Sequence, residues 1–220
     1  MSDLLEIDSV TKAFGYNRVL TDIYVKCRRG EIIGLLGRNG TGKSTLLKIM
    51  YGTQTADNRF IRINGKVYDK PYRSGLVAYL PQDSFLPKQL TISKAIQLYL
   101  GYDSIISFAK DEIIGPLLKS KVSSLSGGEL RYLEIKLLLN LPAMFVLMDE
   151  PFNGIAPVVI ERLKQMIREH AKTKGIILTD HDYRNVLDVA GSYYLLHDGG
   201  IKHIQNKDDL IRWGYLSEDH

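Results

Sequence analysis

The sequence predicts an α/β fold with a mixed sheet, an antiparallel β subdomain near the N-terminus and an inserted lobe of helices. An apolar run, Ile32–Leu36, leads into a glycine-rich loop and a helical stretch that ends at Gly52, as in parallel α/β sheets. Residues 144–148 are apolar throughout, which is typical of a strand buried on both faces. Asn64 and Gly65 lie between two short β-prone runs and predict a hairpin.

The remaining segments divide the chain into a core and a lobe. Residues 4–10 and 175–179 are predicted strands, residues 158–170 a helix, and residues 193–204 a second hairpin around Gly199. Apolar residues between positions 93 and 118 recur at roughly helical spacing. We therefore predict one domain, residues 1–220, in which residues 1–82 and 141–220 form the α/β core with its β subdomain. Residues 83–140 form the helical lobe.

Composition excludes several classes of protein. The chain has 220 residues, of which 45% are hydrophobic and 25% charged, which suits one folded domain rather than a disordered chain. The net charge of +4 comes from scattered Lys and Arg residues, so we expect no nucleic-acid partner. Cys27 is the only cysteine, which excludes an intrachain disulfide and is compatible with a reducing compartment.

The sequence also predicts no direct insertion into a membrane. The N-terminus is acidic and lacks the apolar segment of a signal peptide. The apolar runs are all well below the ~20 residues that a membrane-spanning helix needs. If the protein serves a membrane process, another chain or domain must span the membrane.

The strongest motif is the glycine-rich loop at residues 37–44. It fits the phosphate-loop pattern G-x-x-x-x-G-K-[ST] at every fixed position and lies between a predicted strand and a helix, as the mechanism requires. Its glycines allow backbone N–H groups to face phosphate oxygens, Lys43 can reach the β- and γ-phosphates, and Ser44 can ligate Mg²⁺. The predicted ATP-binding residues of this region are Gly37, Asn39, Gly40, Thr41, Gly42, Lys43, Ser44 and Thr45.

A pair of carboxylates follows the apolar strand at 144–148. Asp149 and Glu150 fall beyond the carboxyl end of that strand, where open α/β sheets bind their ligands. Asp149 suits the Mg²⁺ site, and Glu150 is the candidate to orient or deprotonate the attacking water. Taken alone, the pair would be better explained as the acidic start of a helix after a strand; the phosphate loop favours the catalytic interpretation.

The segment at residues 125–129 identifies a family. Ser126 and Glu129 form the pattern of a capping box, which opens many ordinary helices. The string Leu-Ser-Gly-Gly-Glu nevertheless resembles the signature sequence of ABC ATPases, and it lies shortly before the acidic strand, as in that family. The resemblance covers nearly the whole chain and implies a P-loop ABC ATPase core. It also implies that Ser126, Gly127 and Gly128 cover the ATP held by the phosphate loop of another subunit.

Three further residues gain roles from the resemblance. Gln82 resembles the glutamine that contacts Mg²⁺ or the attacking water, and His181 resembles the histidine that contacts the γ-phosphate. A packing role or metal ligation are the other interpretations of His181. Phe14 resembles the aromatic residue that stacks on adenine, with Tyr16 as its rival and core packing as the alternative for both.

The resemblance further implies partners and a location. An ABC ATPase of this layout is expected to pair with a second ABC subunit, identical or different, and with a transmembrane permease subunit. That would place it in the cytoplasm, peripheral at the inner face of the cell membrane. In the family, the region near Phe85, Leu86 and Pro87 helps to form the groove for the permease. A non-transport ATPase with the same layout, such as an iron–sulfur assembly factor, is the alternative.

One position departs from the family pattern. The family usually continues after Glu150-Pro151 to a Leu-Asp pair, and the matching residues here are Ile155 and Ala156. The missing carboxylate predicts weak coupling between two ATP sites. The motifs at 149–154 and 178–182 and the tail at 215–219 look most like lipopolysaccharide-export ATPases, and somewhat less like the ATPases of branched-chain amino-acid importers.

Overall fold

The computed structural model describes residues 3–205 and 207–216, which form ten strands and seven α-helices. The strands are β1 (Leu4–Phe14), β2 (Asn17–Arg28), β3 (Ile32–Leu36), β4 (Asn58–Ile63), β5 (Lys66–Val67), β6 (Val77–Leu80), β7 (Phe145–Asp149), β8 (Gly175–Thr179), β9 (Ser192–His197) and β10 (Gly200–Ile204). The helices are α1 (Lys43–Tyr51), α2 (Ile92–Leu100), α3 (Ser104–Ala109), α4 (Gly127–Asn140), α5 (Pro157–Ala171), α6 (Tyr183–Val189) and α7 (Lys207–Arg212).

The first sheet is the antiparallel β subdomain, with the strand order β2-β1-β4-β5. Its predicted hairpin is confirmed: Ile63 pairs with Lys66, and Asn64 and Gly65 between them both have positive φ, 53° and 78°. Two consecutive residues with positive φ match the right-handed twist of paired strands, and for this reason Asn-Gly is favoured there.

The second sheet has the order β10-β9-β3-β8-β7-β6. Its strands run parallel except for β10, which pairs with β9 in antiparallel register as the predicted second hairpin. Every residue of β7 and β8 is buried, in agreement with their continuous apolar sequences. The predicted mixed sheet is therefore confirmed.

Apolar side chains fill both faces of the second sheet. On one face, α1 packs between the two sheets, where Leu47 joins Ile7 and Leu147 in one buried cluster. On the other face, α5 and the helices of the lobe form a second cluster that includes Leu163 and Tyr132. The sheet is thus held rigidly from both sides, and its strand ends can carry a precisely arranged site.

The predicted helical region contains α2 and α3, two short 3-10 turns at Gly115–Leu117 and Val122–Ser124, and then α4. The helix α4 begins at Gly127, directly after Ser126, which caps it as the capping-box pattern predicts. The division of the chain at residues 83 and 140 stays a prediction. Ser217, Glu218 and Asp219, which contributed to the resemblance of the tail, lie outside the described residues. Over the described ranges, the helices are either too short or too polar to cross a membrane.

Candidate active site

Four adjacent parallel strands of the second sheet, β3, β8, β7 and β6, end at the same edge of the sheet. The phosphate loop follows β3, His181 lies two residues after β8, Asp149 ends β7, and Gln82 lies two residues after β6. Because ligands of open α/β sheets bind beyond the carboxyl ends of the strands, this edge is the expected binding crevice. Residues that are far apart in the sequence therefore meet in one place.

The phosphate loop depends on glycines. Gly37, Gly40 and Gly42 have φ angles of 152°, 79° and 102°, which residues with a Cβ seldom adopt. A Cβ on Gly42 would lie 2.6 Å from Cγ1 of Val19, so close packing also excludes a side chain there. The loop leads directly into α1, and Gly42 at the N-cap offers no side-chain acceptor to the first N–H groups of that helix.

Lys43 is folded back onto this loop. Its Nζ donates to the carbonyl oxygens of Gly37 (2.7 Å) and Arg38 (3.1 Å). Burial lowers the pKa of Lys43, against the opposing charges of Glu150 and Asp149. Two carbonyl dipoles compensate a buried ammonium only in part, so an anionic phosphate would be a stronger partner.

Asp149 lies at the end of β7 beside the loop. Its Oδ1 accepts a hydrogen bond from Ser44 Oγ (3.0 Å), and its Oδ2 accepts one from the Tyr79 hydroxyl (3.1 Å). Burial raises the pKa of Asp149, because the charged form loses its hydration, and the two hydrogen bonds oppose this shift. Gln82 approaches the same place, with Nε2 3.4 Å from Ser44 Oγ.

Glu150 is surrounded by the other predicted residues. Its Oε1 lies 2.7 Å from Gln82 Nε2 and 2.7 Å from His181 Nε2. The other ring nitrogen of His181, Nδ1, lies 3.0 Å from Asn39 Oδ1 in the phosphate loop. Asn153 contacts the second carboxylate oxygen, with Nδ2 3.4 Å from Oε2. A continuous chain of polar contacts thus joins the loops after β3, β8, β7 and β6.

Several of these side chains line an open pocket of about 550 Å³. The residues around it are Phe14, Val19, Asn39, Gly40, Gly42, Lys43, Ser44, Thr45, Gln82, Glu150 and His181. Phe14, at the end of β1, is half exposed on this wall, whereas Tyr16 is fully exposed and is not among the lining residues. Of the two aromatic residues, only Phe14 lines the pocket, and its stacking on adenine stays a prediction. Gly37 and Thr41 belong to the loop but are not among the lining residues; Thr41 Oγ1 donates to Arg38 O (2.9 Å).

The signature segment does not line this pocket, although Gly127 lines a smaller neighbouring cavity together with Gln82 and Glu150. Its capping box is present: Ser126 Oγ accepts from the N–H of Glu129 (3.3 Å), and Glu129 Oε2 accepts from the N–H of Ser126 (2.8 Å). Ser126 and Gly127 are exposed, and Gly128 is partly exposed. The contact of Ser126, Gly127 and Gly128 with the ATP of another subunit stays a prediction.

Sequence reasoning missed two polar side chains that support the site. Tyr79, on β6, holds Asp149 through its hydroxyl group. Arg131, on α4, donates to backbone carbonyls at the ends of β6 and β7. Neither residue belongs to a motif with its own chemistry, and only the packing of α4 against the sheet shows the role of Arg131.

Comparisons with known proteins agree with this geometry. The family model described as "ABC transporter" matches residues 20–153, more than half of the chain. The lipopolysaccharide export system ATP-binding protein LptB of Acidithiobacillus ferridurans is 33% identical over 99% of this chain and 98% of that protein. LptB of Haemophilus influenzae is 28% identical over 98% of each protein. A solved ATP-binding subunit of an ABC transporter matches with a TM-score of 0.83 and 27% identity, covering 97% of this chain and 95% of that one.

The resemblance to the lipopolysaccharide-export ATPases extends over the whole chain and is thereby confirmed as a similarity. The family match and the full-length relative show that the chain belongs to the ABC transporter family, as an ATP-binding subunit of the ATPase type.

Proposed function

We propose that this subunit hydrolyses Mg²⁺-bound ATP at sites shared by two subunits, and that closure of the dimer drives a separate membrane-spanning partner. The observation that carries the proposal is the pocket in which Lys43, Glu150, His181 and Gln82 converge from four adjacent strand ends. Its volume of about 550 Å³ is in the usual range for small-molecule sites.

Different residues of the pocket would contact the adenine and the phosphates of the nucleotide. Phe14 at the rim stacks on adenine, and the phosphate loop at the base receives the phosphates through its N–H groups and the Lys43 ammonium. Lys43 then exchanges its contacts with the carbonyl groups of Gly37 and Arg38 for phosphate oxygens. That exchange replaces dipoles by an anion and favours ATP over an uncharged ligand.

The oxygens around Ser44 fit a magnesium ion. Ser44 Oγ and Asp149 Oδ1 lie 3.0 Å apart, and hydroxyl and carboxylate oxygens are the ligands that Mg²⁺ takes beside nucleotide phosphates. Gln82 faces this place with its amide nitrogen, so a ligand role would require the amide group to turn and present its oxygen. When bound, Mg²⁺ would neutralise charge on the β- and γ-phosphates.

Glu150 acts as the base in this proposal. The γ-phosphate would enter between the phosphate loop and His181, so the imidazole exchanges its contact with Glu150 for a phosphate oxygen. Gln82 and Asn153 keep the carboxylate oriented toward a water molecule in line with the γ-phosphate. Glu150 takes the proton of that water as the oxygen attacks phosphorus and ADP leaves.

The glycines of the signature segment support sharing of the site between two subunits. Neither Gly127 nor Gly128 has positive φ, and a Cβ on Gly127 would meet no atom of its own chain within 4 Å. Gly127 begins α4, where glycine is a poor helix former. Neither conformation nor packing within one chain requires glycine there, so close approach of a second molecule to the helix start is the remaining reason for it.

A separate cavity supports contact with a membrane-spanning partner. It measures about 480 Å³, lies between the lobe and the core, and is rich in aromatic side chains, including Tyr51, Tyr72, Phe85 and Tyr99. Phe85 is only partly buried and packs edge-on against Tyr99. We propose that this cavity receives a segment of the permease at the inner face of the cell membrane. The relatives named above are transporter subunits, so transport is preferred to the iron–sulfur assembly alternative.

The decisive experiment replaces Glu150 by Gln, which keeps the shape but removes the base. We expect turnover to fall by roughly 10²–10⁴-fold while ATP still binds. The variant should then persist as an ATP-bound dimer in Mg·ATP, measured by light scattering. Glu169→Gln, an exposed position on α5, is the matched control and should retain wild-type turnover. Wild-type turnover in Glu150→Gln, or a monomer with ATP bound at high concentration, would contradict the proposal.

A further inference from the structure

Arg131 lies on α4, yet its side chain points away from solvent and is 7% exposed. Its Nη1 donates to Pro81 O (2.6 Å), and its Nη2 donates to Asp149 O (2.5 Å) and Glu150 O (3.0 Å). These carbonyl groups lie where β6 and β7 end. One guanidinium therefore joins a helix of the lobe to both loops that carry the predicted residues Gln82 and Glu150.

The backbone of Glu150 needs such support. Its φ of 52° lies in the left-handed region, which costs free energy for a residue with a Cβ. Its N–H donates to Thr179 O (2.9 Å) and its carbonyl accepts from Arg131. These two bonds fix the peptide groups on both sides of Cα, and so they set the direction in which the carboxylate leaves the backbone.

Glu134 braces the guanidinium from the next turn of α4. It accepts from Arg131 Nη1 (3.5 Å) and from the backbone N–H of Phe85 (3.1 Å), and its side chain is almost fully buried. A cavity of about 200 Å³ lies beside this pair and is lined by Arg131, Glu134 and Glu150 among others. The lobe and the core are therefore not packed solidly here, and polar contacts through Arg131 hold the two sides together.

We propose that Arg131 is a positioning residue for ATP hydrolysis, which couples the placement of α4 to the orientation of the Glu150 carboxylate and the Gln82 loop. This inference rests on the proposed role of Glu150 as the base. Displacement of α4 withdraws the guanidinium from the three carbonyl groups, and the left-handed backbone of Glu150 loses its donor. ATP binding depends on the loop before α1, which Arg131 does not contact, so the placement of α4 governs turnover rather than affinity.

The test is Arg131→Lys in the full chain. Lysine keeps the charge, but a single ammonium group cannot reach three carbonyl oxygens in the geometry of a guanidinium fork. We expect kcat to fall by at least about tenfold while the ATP Kd stays within about threefold of the wild-type value. Labelled-ATP hydrolysis and calorimetry supply the two measurements. Arg168→Lys, which changes an exposed guanidinium paired with Asp188, is the control and should change neither value.

A double variant separates positioning from a general structural role. If Arg131 acts through Glu150, Arg131→Lys should reduce single-turnover hydrolysis no more than about twofold once Glu150 is already Gln. The same fold loss in both backgrounds would overturn the proposal, and so would a kcat within about twofold of wild type in the single variant. The proposed function fails separately, through full activity of Glu150→Gln alone.

A milder variant covers the case in which Arg131→Lys does not fold. Glu134→Gln keeps the volume and an acceptor for the Phe85 N–H, but it removes the carboxylate beside the guanidinium. We expect kcat to fall by about threefold with unchanged ATP Kd, and no further loss in the Glu150→Gln background. An unchanged kcat in Glu134→Gln would then overturn the proposal.

Discussion

Burial changes the behaviour of individual carboxylates around the phosphate loop. It raises the pKa of Asp149, and it also raises the pKa of Asp180, whose oxygens accept from the N–H groups of Phe152 and Asp182. A carboxyl group whose pKa is higher in the folded than in the unfolded chain destabilises the fold when it is charged. Both groups therefore oppose folding above their ordinary pKa of about 4. A cation bound at Asp149 would remove part of that cost, and a free-energy gain on nucleotide binding is therefore expected at neutral pH.

Phe14 allows a direct test of adenine stacking. Lys12 Nζ lies over its ring, 4.8 Å from the centroid, so adenine would stack on the opposite face. Stacking of a base on an aromatic side chain contributes about 1–3 kcal/mol, so Phe14→Ala should weaken ATP binding by about 5- to 150-fold. Calorimetric titration with Mg·ATP is the measurement.

Two controls make this result specific to adenine. Tyr16→Ala removes the rival aromatic residue, which does not line the pocket, and should leave ATP affinity unchanged. Binding of inorganic tripolyphosphate should be equal in wild type and Phe14→Ala, because that ligand lacks a base. A loss of ATP affinity in Tyr16→Ala, with none in Phe14→Ala, would show that Tyr16 and not Phe14 stacks on adenine.

Sequence motifs predicted residues whose chemistry requires a fixed pattern. Lys43 and Ser44 belong to a loop in which the glycine spacing is itself dictated by the backbone, and Asp149 follows a strand that only a parallel sheet can bury. Tyr79 and Arg131 act through single contacts, a hydroxyl to Asp149 and a guanidinium to three carbonyl groups. Such contacts depend on how elements pack, and no local spacing of residues encodes them.

At the level of elements, the start of α5 is incomplete. Ala156 occupies its N-cap position with extended backbone angles, and Pro157 follows at the first helical position. Asp, Asn, Ser and Thr are the residues that accept hydrogen bonds from the first N–H groups of a helix, and alanine cannot do so. The departure from the family pattern therefore has a local cost as well as a consequence for coupling.

We predict that Ala156→Asp and Ala156→Ser both stabilise the chain, by about 0.5–2 kcal/mol, because either side chain caps α5. Chemical denaturation measures this. Only the carboxylate can also accept charge-assisted hydrogen bonds across a dimer, so only Ala156→Asp should raise turnover or the Hill coefficient above the weakly cooperative wild type.

Hydrolysis rates against ATP concentration distinguish this explanation from its rivals. Asn153, which already contacts Glu150, is the alternative source of the coupling contact. A strongly cooperative wild type that loses cooperativity only in Asn153→Ala would show that Ala156 is not the reason. Activity that appears only with a second, different ABC subunit would favour a heterodimer.

The lobe depends on one buried carboxylate. Asp111 accepts hydrogen bonds from the Tyr132 hydroxyl (2.8 Å), from the N–H groups of Ile113 and Ile114 (2.9 Å each), and from Lys136. Burial alone would raise the pKa of Asp111, but these hydrogen bonds, with Lys136 first, outweigh it and hold the pKa below its ordinary value. The loop at residues 111–114 and the helix α4 thus meet at a single charge.

Asp111→Asn should lower the free energy of unfolding by about 3 kcal/mol, because it leaves Lys136 without its anionic partner. A lowered pKa stabilises the fold above the ordinary pKa and loses its effect as the pH falls through the folded value. The difference between wild type and variant should therefore shrink as the pH falls below the ordinary carboxyl pKa of about 4. Urea denaturation at several pH values measures this, with the exposed Asp103→Asn as control. A constant difference at all pH values would contradict the role of the charge.

Some elements had no clear signal in the sequence. The strands β3 and β7 are predicted from the sequence because residues 32–36 and 144–148 are continuous apolar runs. By contrast, β2 is interrupted by Asp22, whose φ is 49°, and this shifts the alternation of buried and exposed side chains along the strand. Only its second half, from Ile23 to Cys27, alternates regularly. The helices α6 and α7 have seven and six residues, too few for a helical period to stand out.

At the scale of the whole molecule, the proposed dimer would give each subunit halves of two different sites. Its phosphate loop lies in the open pocket, and the start of α4 is exposed outside that pocket. Because of the helix dipole, an exposed helix start is complementary to a phosphate that protrudes from another subunit. Two copies facing each other would complete both sites with the same interface.

Complementation between two inactive variants tests this arrangement. Lys43→Ala disables the phosphate loop. Gly127→Asp places a negative charge at the start of α4, where the chain has room for a side chain and the helix dipole favours an acidic residue, so folding should be preserved. Each variant alone should be inactive. In a mixed dimer, the intact loop of the Gly127→Asp chain faces the intact signature segment of the Lys43→Ala chain, and one working site is restored.

Random pairing of equal amounts makes half of the dimers mixed, each with one complete site, so up to about a quarter of wild-type ATPase activity should return on mixing. Each variant mixed with itself at the same total concentration is the control, and circular dichroism with ATP titration checks folding and binding. If the Gly127→Asp chain alone were fully active, the start of α4 would have no contact with ATP. An inactive mixture of folded, associated variants would contradict the shared site. In that case the phosphate loop and the signature segment of one site would come from the same chain, and each variant would carry one defect in its own site.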